Sequence, residues 1–198
     1  MRAALANGLP KAAAARAPAG REPLTVKEIL ELEGALIEVF RTIRELRLRT
    51  PAARYIKFPP LPSLWSKSIA LVAIPTLFGP EWRGRYGGRI ADVIAENAAA
   101  GSTMKVEVKA TGRHAFQELK EKDLRADFLV WLRFGRRLEL GSGPIEVAVL
   151  EAPGKYIDRQ CRLDVRRFEG VVGILEAQKI LRFDSLAAML SPGSSAGR

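Results

Sequence analysis

Cysteine and histidine are almost absent from this sequence of 198 residues, which contains one of each, Cys161 and His114. A single cysteine cannot form an internal disulfide framework, so we expect a reducing, intracellular compartment such as the cytoplasm. A zinc module has too few ligands here, and a Cys/His nucleophile would require two distant segments to meet. The phosphate-binding loop Gly-x-x-x-x-Gly-Lys-Ser/Thr and the dinucleotide-binding glycine pattern are also missing. The sequence therefore argues against zinc modules, P-loop NTPases and dinucleotide-dependent oxidoreductases.

Long apolar runs are missing as well. No stretch approaches the ~20 residues of a membrane-spanning helix, so we expect no membrane partner. The first 21 residues are rich in Ala and Arg, and no acidic residue precedes Glu22. We expect residues 1–22 to form a disordered basic tail, although an organellar transit peptide has a similar composition and stays open. Residues 23–190 are expected to form a single domain, followed by a disordered tail at 191–198.

Positive charge is abundant: 32 Lys and Arg against 22 Asp and Glu give a net charge of +10. With 47% hydrophobic residues, this composition predicts a globular domain that favours a polyanionic partner such as nucleic acid. The stretch from Phe78 to Gly88 interleaves arginines with aromatic residues. Guanidinium groups can meet phosphates while a ring stacks on a base, so we predict a loop that contacts nucleic acid; an ordinary solvated loop is the alternative. The candidate residues are Arg83, Arg85, Tyr86 and Arg89.

Capping residues and prolines predict where the first two helices begin and end. Thr25 and Glu28 form a capping-box pattern, and the apolar stripe that follows continues until Pro51. An extended, proline-rich connector, residues 58–62, precedes a second helix, predicted to begin at Ser63 and to end before Pro75. The run from Ile69 to Ile74 would also suit a buried strand. Further along, we predict strands at Ile90–Ile94, Ser102–Gly112, Asp127–Phe134 and Ile145–Leu150, and helices at His114–Asp123, Val171–Leu181 and Ser185–Leu190.

The strand Ser102–Gly112 carries the most informative pattern. Alternation of side chains directs Val106 and Val108 into the core, and it puts Glu107 and Lys109 together on the other face. The preceding apolar run contains a carboxylate, Asp92, and antiparallel pairing of the two runs would bring it to Glu107. Two such carboxylates form an oxygen-rich site of the kind that Mg²⁺ accepts. The lysine could then position the attacking water or offset charge on a phosphate.

These residues resemble the PD-(D/E)XK phosphodiesterases, the restriction-endonuclease-like superfamily. Asp92 matches the first acid of the motif and Glu107-Val108-Lys109 matches its (D/E)-x-K element, while Ala91 stands where the family name has proline. The resemblance covers about Ser63 to Leu150 and implies an α/β fold with a central mixed β-sheet flanked by helices. It also implies DNA cleavage with one or two Mg²⁺ ions, which Asp92 and Glu107 would bind, and with Lys109 as the third catalytic residue.

Two further sets of residues are weaker candidates. Arg113 and His114 follow the strand directly and could contact a phosphate of the nucleic acid. Glu96, Glu38 and Glu45 are candidates for an additional carboxylate near the metal.

Two functions remain open on the sequence. The first is a Mg²⁺-dependent DNA endonuclease of restriction type, acting as a homodimer because cutting both strands of a duplex requires two sites related by symmetry. The second is a non-catalytic, basic nucleic-acid-binding protein, in which Glu107 and Lys109 form ordinary cross-strand ion pairs.

Overall fold

The computed structural model describes residues 22–112, 117–157, 161–163, 167–168 and 179–191, which form an α/β fold with a mixed six-stranded sheet. The helices are α1 (Val26–Arg49), α2 (Ser63–Phe78), α3 (Glu121–Leu124), α4 (Arg137–Leu140) and α5 (Leu186–Leu190), with 3-10 turns at Pro51–Tyr55 and Pro153–Lys155. The strands are β1 (Arg83–Tyr86), β2 (Val93–Asn97), β3 (Ser102–Thr111), β4 (Gln117–Leu119), β5 (Phe128–Arg133), β6 (Ile145–Glu151), β7 (Cys161–Leu163) and β8 (Lys179–Phe183).

The main sheet has the strand order β1-β2-β3-β5-β6-β8. Every neighbouring pair is antiparallel except β3 and β5, which run parallel. The predicted antiparallel pairing of the Asp92 run with the Ser102 strand is confirmed, as is the pairing of β5 with β6. Strands β4 and β7 form a separate two-stranded sheet.

Both faces of the sheet are covered at its centre, which explains why β5 is apolar from Phe128 to Leu132. Val130 and Leu132 pack into the cluster that contains α1 and α2, whereas Leu129 and Trp131 pack into a second cluster on the opposite face. The predicted inward orientation of Val106 and Val108 is confirmed, since both belong to the first cluster. The sheet can therefore hold charged side chains only at its ends and edges.

Helix α1 begins as its sequence predicts. Thr25 Oγ1 accepts the Glu28 backbone N–H, and the Glu28 carboxylate accepts the Thr25 N–H, which completes the capping box. Trp65 of α2 is fully buried and donates its indole N–H to Ile29 O (2.9 Å). This bond joins α1 to α2 and fixes the position of α2 relative to the first turns of α1.

Several predictions of secondary structure are wrong. Pro75 does not end α2, which continues to Phe78 because tertiary packing of its apolar residues offsets the missing N–H. The segment predicted as a helix from His114 contains strand β4 and the short helix α3, and residues 113–116 lie outside the described residues. The helix predicted for Val171–Leu181 conflicts with β8, and residues 171–178 are also not described.

One other prediction needs correction. The stretch predicted as an arginine-rich loop contains an edge strand, β1, packed on α2.

Within the described residues, none of the helices combines the length and the apolar character required to cross a membrane. The predictions for residues 1–21 and 192–198 concern parts of the chain outside the described residues. The prediction of a single domain for residues 23–190 stays a prediction.

Candidate metal and phosphate site

The candidate site lies where strand β3 extends beyond the end of its neighbour β2. Strand β2 pairs with Ser102–Val106 only, whereas β3 continues to Thr111 alongside β5. From Glu107 onward, one edge of β3 has no neighbour among the described strands. A cavity of about 650 Å³ opens against this edge. Its lining includes Val108, Lys109, Ala110, Thr111 and Gly112.

Asp92 lies against the first part of this free edge and accepts a hydrogen bond from it. The register pairs Val93 with Val106, so Asp92 comes opposite Glu107 at the point where the pairing stops. The Val108 backbone N–H donates to Asp92 Oδ2 (3.1 Å), and Lys67 Nζ lies 2.7 Å from Asp92 Oδ1. Burial raises the pKa of Asp92, but these hydrogen bonds and the charges of Lys67 and Lys122 outweigh burial and bring its pKa below the ordinary value. Asp92 is therefore ionised at neutral pH.

Glu107 is the more deeply buried carboxyl group, with 1% of its surface exposed. Its Oε2 accepts a hydrogen bond from Lys122 Nζ (2.8 Å), and the same ammonium lies 3.6 Å from Asp92 Oδ1. One cation thus lies between the two carboxylates that the sequence predicted to meet. Glu107 Oε1 is buried and has no hydrogen-bond partner.

Burial raises the pKa of Glu107 to about 7. The hydrogen bond and charge of Lys122 act in the opposite direction, while the neighbouring carboxyl groups of Asp92 and Asp123 raise this pKa further. Desolvation lowers the pKa of Lys122, but the hydrogen bond to Glu107 and the nearby carboxylates outweigh it and leave the pKa of Lys122 raised. Near pH 7, Glu107 can therefore take up or release a proton, whereas Lys122 stays charged.

Lys109 is held by a carboxylate that the sequence did not point to. Its Nζ lies 2.7 Å from Oδ2 of Asp123, which is fully buried and also accepts the Lys120 backbone N–H (2.7 Å). Asp123 Oδ1 has no hydrogen-bond partner. The Lys109 side chain keeps 14% of its surface exposed and lines the cavity. Asp123 therefore fixes the direction of the Lys109 ammonium.

The predicted catalytic residues thus come together, whereas the predicted nucleic-acid contacts do not. Arg83 and Arg85 share the exposed face of β1, and Arg85 pairs with Glu96 (2.5 Å). The Tyr86 hydroxyl bonds to Ser68 of α2 (2.6 Å). Neither these residues nor Arg89 line the cavity. Arg113 and His114 lie outside the described residues.

The predicted additional carboxylates are elsewhere. Glu38 and Glu45 form exposed ion pairs with Arg41 and Arg49 along α1, and Glu96 is engaged with Arg85. None of the three lines the cavity.

Sequence reasoning missed Lys67, Lys122 and Asp123. Lys67 is the only charged residue in the sequence of α2, an anomaly that could have drawn attention to it. Lys122 and Asp123 belong to the charged run Lys-Glu-Lys-Asp, and nothing in that run distinguishes a buried residue from a solvated one.

In the part of the chain that the structure describes, no group of three or more His, Cys, Asp or Glu side chains is arranged to hold a metal ion. Asp92 and Glu107 are two carboxylates, and Mg²⁺ commonly binds to one or two carboxylates while keeping waters and taking a substrate phosphate. The partnerless Glu107 Oε1 and the cation already lying between the two carboxylates fit such an ion.

Comparison of this chain with protein-family models, with curated proteins and with solved structures gives no match.

Proposed function

We propose that this protein is a Mg²⁺-dependent DNA endonuclease that hydrolyses phosphodiester bonds. One observation carries the proposal: Asp92 and Glu107 meet at the free edge of β3 and share the Lys122 ammonium, with Lys109 in the wall of the adjoining cavity. Two carboxylates and a lysine beside an open cavity can serve a metal ion and a phosphate at once.

The succession of elements also supports the proposal. Helix α2 is followed by the antiparallel strands β1, β2 and β3, then by α3 and by β5, which runs parallel to β3. This order and the mixed sheet agree with the resemblance to the PD-(D/E)XK phosphodiesterases. In that family the first acid and the (D/E)-x-K element lie on neighbouring strands. Here Asp92 directly precedes β2, and Glu107-Val108-Lys109 lies on the neighbouring strand β3.

The chain's own residues can bind and orient a phosphodiester in the cavity. Lys67, Lys109 and Lys122 all contribute to the cavity lining. Lys109 would donate a hydrogen bond to a non-bridging phosphate oxygen or to the attacking water, with its direction fixed by Asp123. Because Asp123 is fully buried, this lysine is oriented before substrate arrives.

Asp92 and Glu107 are the residues that would hold Mg²⁺. The bound ion would supply a Lewis acid for a phosphoryl oxygen and would activate a water molecule. For the ion to bind, Lys122 must leave its place between the two carboxylates. Its side chain is 54% exposed and long, so it can turn toward the phosphate without disturbing the core.

Cleavage of supercoiled plasmid DNA in the presence of Mg²⁺ tests the proposal. We expect nicked and linear products from the wild type, and a loss of at least about 100-fold in rate for Lys109→Ala, a typical loss for a general acid–base or charge-stabilising group. Lys105→Ala is the matched control, because Lys105 is an exposed lysine on the same strand. Absence of cleavage by the wild type on varied DNA, or equal cleavage by the wild type and Lys109→Ala, would refute the proposal.

The restriction-type activity and the homodimer predicted from the sequence belong to this proposal and stay predictions. Sequencing the ends of the cleaved DNA would establish whether both strands are cut at fixed, symmetric positions, as a symmetric dimer requires.

One observation favours the alternative, a non-catalytic nucleic-acid-binding protein. Lys67, Lys109 and Lys122 each form an ion pair with an acid of the site, so the cluster balances its own charge. Salt-sensitive DNA binding is expected from both functions, because both rely on the basic surface. The plasmid assay separates them, since a binding protein leaves the DNA intact.

A further inference from the structure

We propose that the cavity and the connector beside it bind a single DNA strand, with an unpaired base against the connector and a phosphate at the lysines. This inference rests on the proposed function for the identity of the phosphate group. It concerns the substrate class: a single strand or an unpaired end, in preference to an intact duplex.

The cavity has two chemically different walls. One wall is polar and carries Lys67, Lys109 and Lys122, together with the carboxylate of Asp92. The other is apolar and comes from α1 and the connector, and it consists of Phe40, Phe58, Pro59, Pro60 and Leu61. A nucleotide has the same division, since its phosphate requires cations and its base presents a flat face that packs on apolar and aromatic side chains.

The size of the cavity favours a nucleotide over a duplex. Its volume of about 650 Å³ lies in the ~300–1,000 Å³ range of pockets that enclose a small organic ligand. A base can occupy such a pocket only when it is unpaired, because a paired base is held inside the stacked duplex.

The apolar wall is rigid. Phe58 stacks on Phe40 with ring centroids 4.9 Å apart and an interplanar angle of 7°. The Arg47 guanidinium lies 4.5 Å from the centre of the Phe58 ring and donates hydrogen bonds to Ile56 O. Both faces of the Phe58 ring are therefore covered, and a base would pack on the neighbouring Pro59, Pro60 and Leu61. A wall that is already ordered loses little conformational entropy when a base packs on it.

The surface next to this wall has a composition typical of surfaces that bind single-stranded nucleic acid. Tyr55 is 87% exposed and lies three residues before Phe58, which limits the separation of their Cα atoms to about 11 Å. Arg54 and Lys57, on either side of Tyr55, are exposed as well. Residues 46–80 contain no Asp or Glu, so no acidic residue of this segment opposes a phosphate backbone. An exposed ring between cations is suited to stack on a second base of the same strand.

Fluorescence anisotropy with two labelled DNAs tests the inference. The probes are an oligo(dT) strand of about 12 nucleotides, within the ~4–16-nucleotide site sizes of single-strand binders, and a duplex of equal length. Both are titrated with the full chain in EDTA, so that no metal-dependent cleavage occurs. We expect the single strand to bind at least about tenfold more tightly than the duplex, and Tyr55→Ala to weaken this binding by about tenfold, within the range for loss of one base-stacking contact.

Tyr156→Ala is the matched control, because Tyr156 is also a surface tyrosine but lies next to the Pro153–Lys155 turn. It should bind the single strand like the wild type. Equal or tighter binding of the duplex would overturn the inference, and so would equal affinities of the Tyr55→Ala and Tyr156→Ala proteins.

Failure of this inference and failure of the proposed function have different signatures. Cleavage of intact duplex DNA with no preference for single strands would retain the nuclease function and refute the single-strand site. Tight single-strand binding without cleavage in Mg²⁺ would retain the site and refute the nuclease function.

Discussion

In the part of the chain that the structure describes, the Arg137–Glu33 pair and the acids at the free edge of β3 are both buried, and these two sets differ in how completely the charges are paired. Between α1 and α4, the Arg137 guanidinium bonds to Glu33 (2.7 Å) and to the carbonyl groups of Gly143 (2.7 Å) and Asp184 (3.2 Å). At the free edge of β3, two buried oxygens, Glu107 Oε1 and Asp123 Oδ1, have no partner. The first place has the features of a structural ion pair, and the second has those of a site.

The difference follows from how accessible each region is to a ligand. Arg137 bonds to three separate segments of the chain and its side chain is 10% exposed, so a ligand has little access to this pair. At the β3 edge, Asp92 lines a cavity, and so do the three lysines that pair with the acids, Lys67, Lys109 and Lys122. A half-satisfied polar network is costly in a purely structural role, which makes it informative when it lies beside a cavity.

The largest effect is expected from breaking the structural pair. Arg137→Met would leave the Glu33 carboxylate buried without its partner, and we expect the free energy of unfolding to fall by about 3–5 kcal/mol. Urea denaturation measures this change. Arg41→Met is the control, since Arg41 pairs with Glu38 on the exposed surface and should change stability by less than about 1 kcal/mol. A loss for Arg137→Met as small as that of the control would show that the two pairs do not differ.

A smaller effect, in the opposite direction, is expected at the site. Lys122→Met removes the ammonium between Asp92 and Glu107, so a divalent ion no longer has to displace it. We expect Mn²⁺, used as a stand-in for Mg²⁺, to bind roughly tenfold more tightly, a change of about 1.4 kcal/mol. Titration followed by electron paramagnetic resonance measures the free ion. Lys105→Met changes the net charge equally and should leave the affinity as in the wild type; equal gains in both variants would contradict the account.

A pH dependence of stability is also expected, in metal-free buffer. The pKa of Glu107 in the folded protein is about 7, above its ordinary value of 4.5, so the folded state holds more protons than the unfolded state between these values. The contribution of Glu107 to stability is therefore full below about pH 4.5 and is lost as the pH rises through 7. Urea denaturation at pH 5 and pH 8 measures it. Glu107→Gln, which cannot ionise, should lose less stability over this range than the wild type; the same loss in both proteins would refute the assignment.

How much of the fold the sequence predicts depends on whether an element is stabilised locally. Helix α1 was predictable because Thr25 and Glu28 cap it through bonds within four residues. Strand β4 was not, since it pairs with Cys161–Leu163, more than 40 positions along the chain. Its own composition favours a helix, and only the distant partner makes it a strand. The same holds for β8, which pairs with β6.

The residues of the site also fall into predictable and unpredictable groups. Asp92, Glu107 and Lys109 were predictable because two strands joined by a short turn bring their ends together. Lys67, Lys122 and Asp123 reach the site from α2 and α3, and their positions depend on how those helices pack. Spacing along the sequence contains no information on that packing.

Direct titration of the protein with Mn²⁺ tests the central claim most closely, because it asks whether the β3 edge holds a metal. We predict that the wild type binds Mn²⁺, that Glu107→Gln binds it at least about tenfold more weakly, and that Glu33→Gln, the same substitution at the structural pair, binds it like the wild type. No binding by the wild type, or equal binding by Glu107→Gln and Glu33→Gln, would contradict the account.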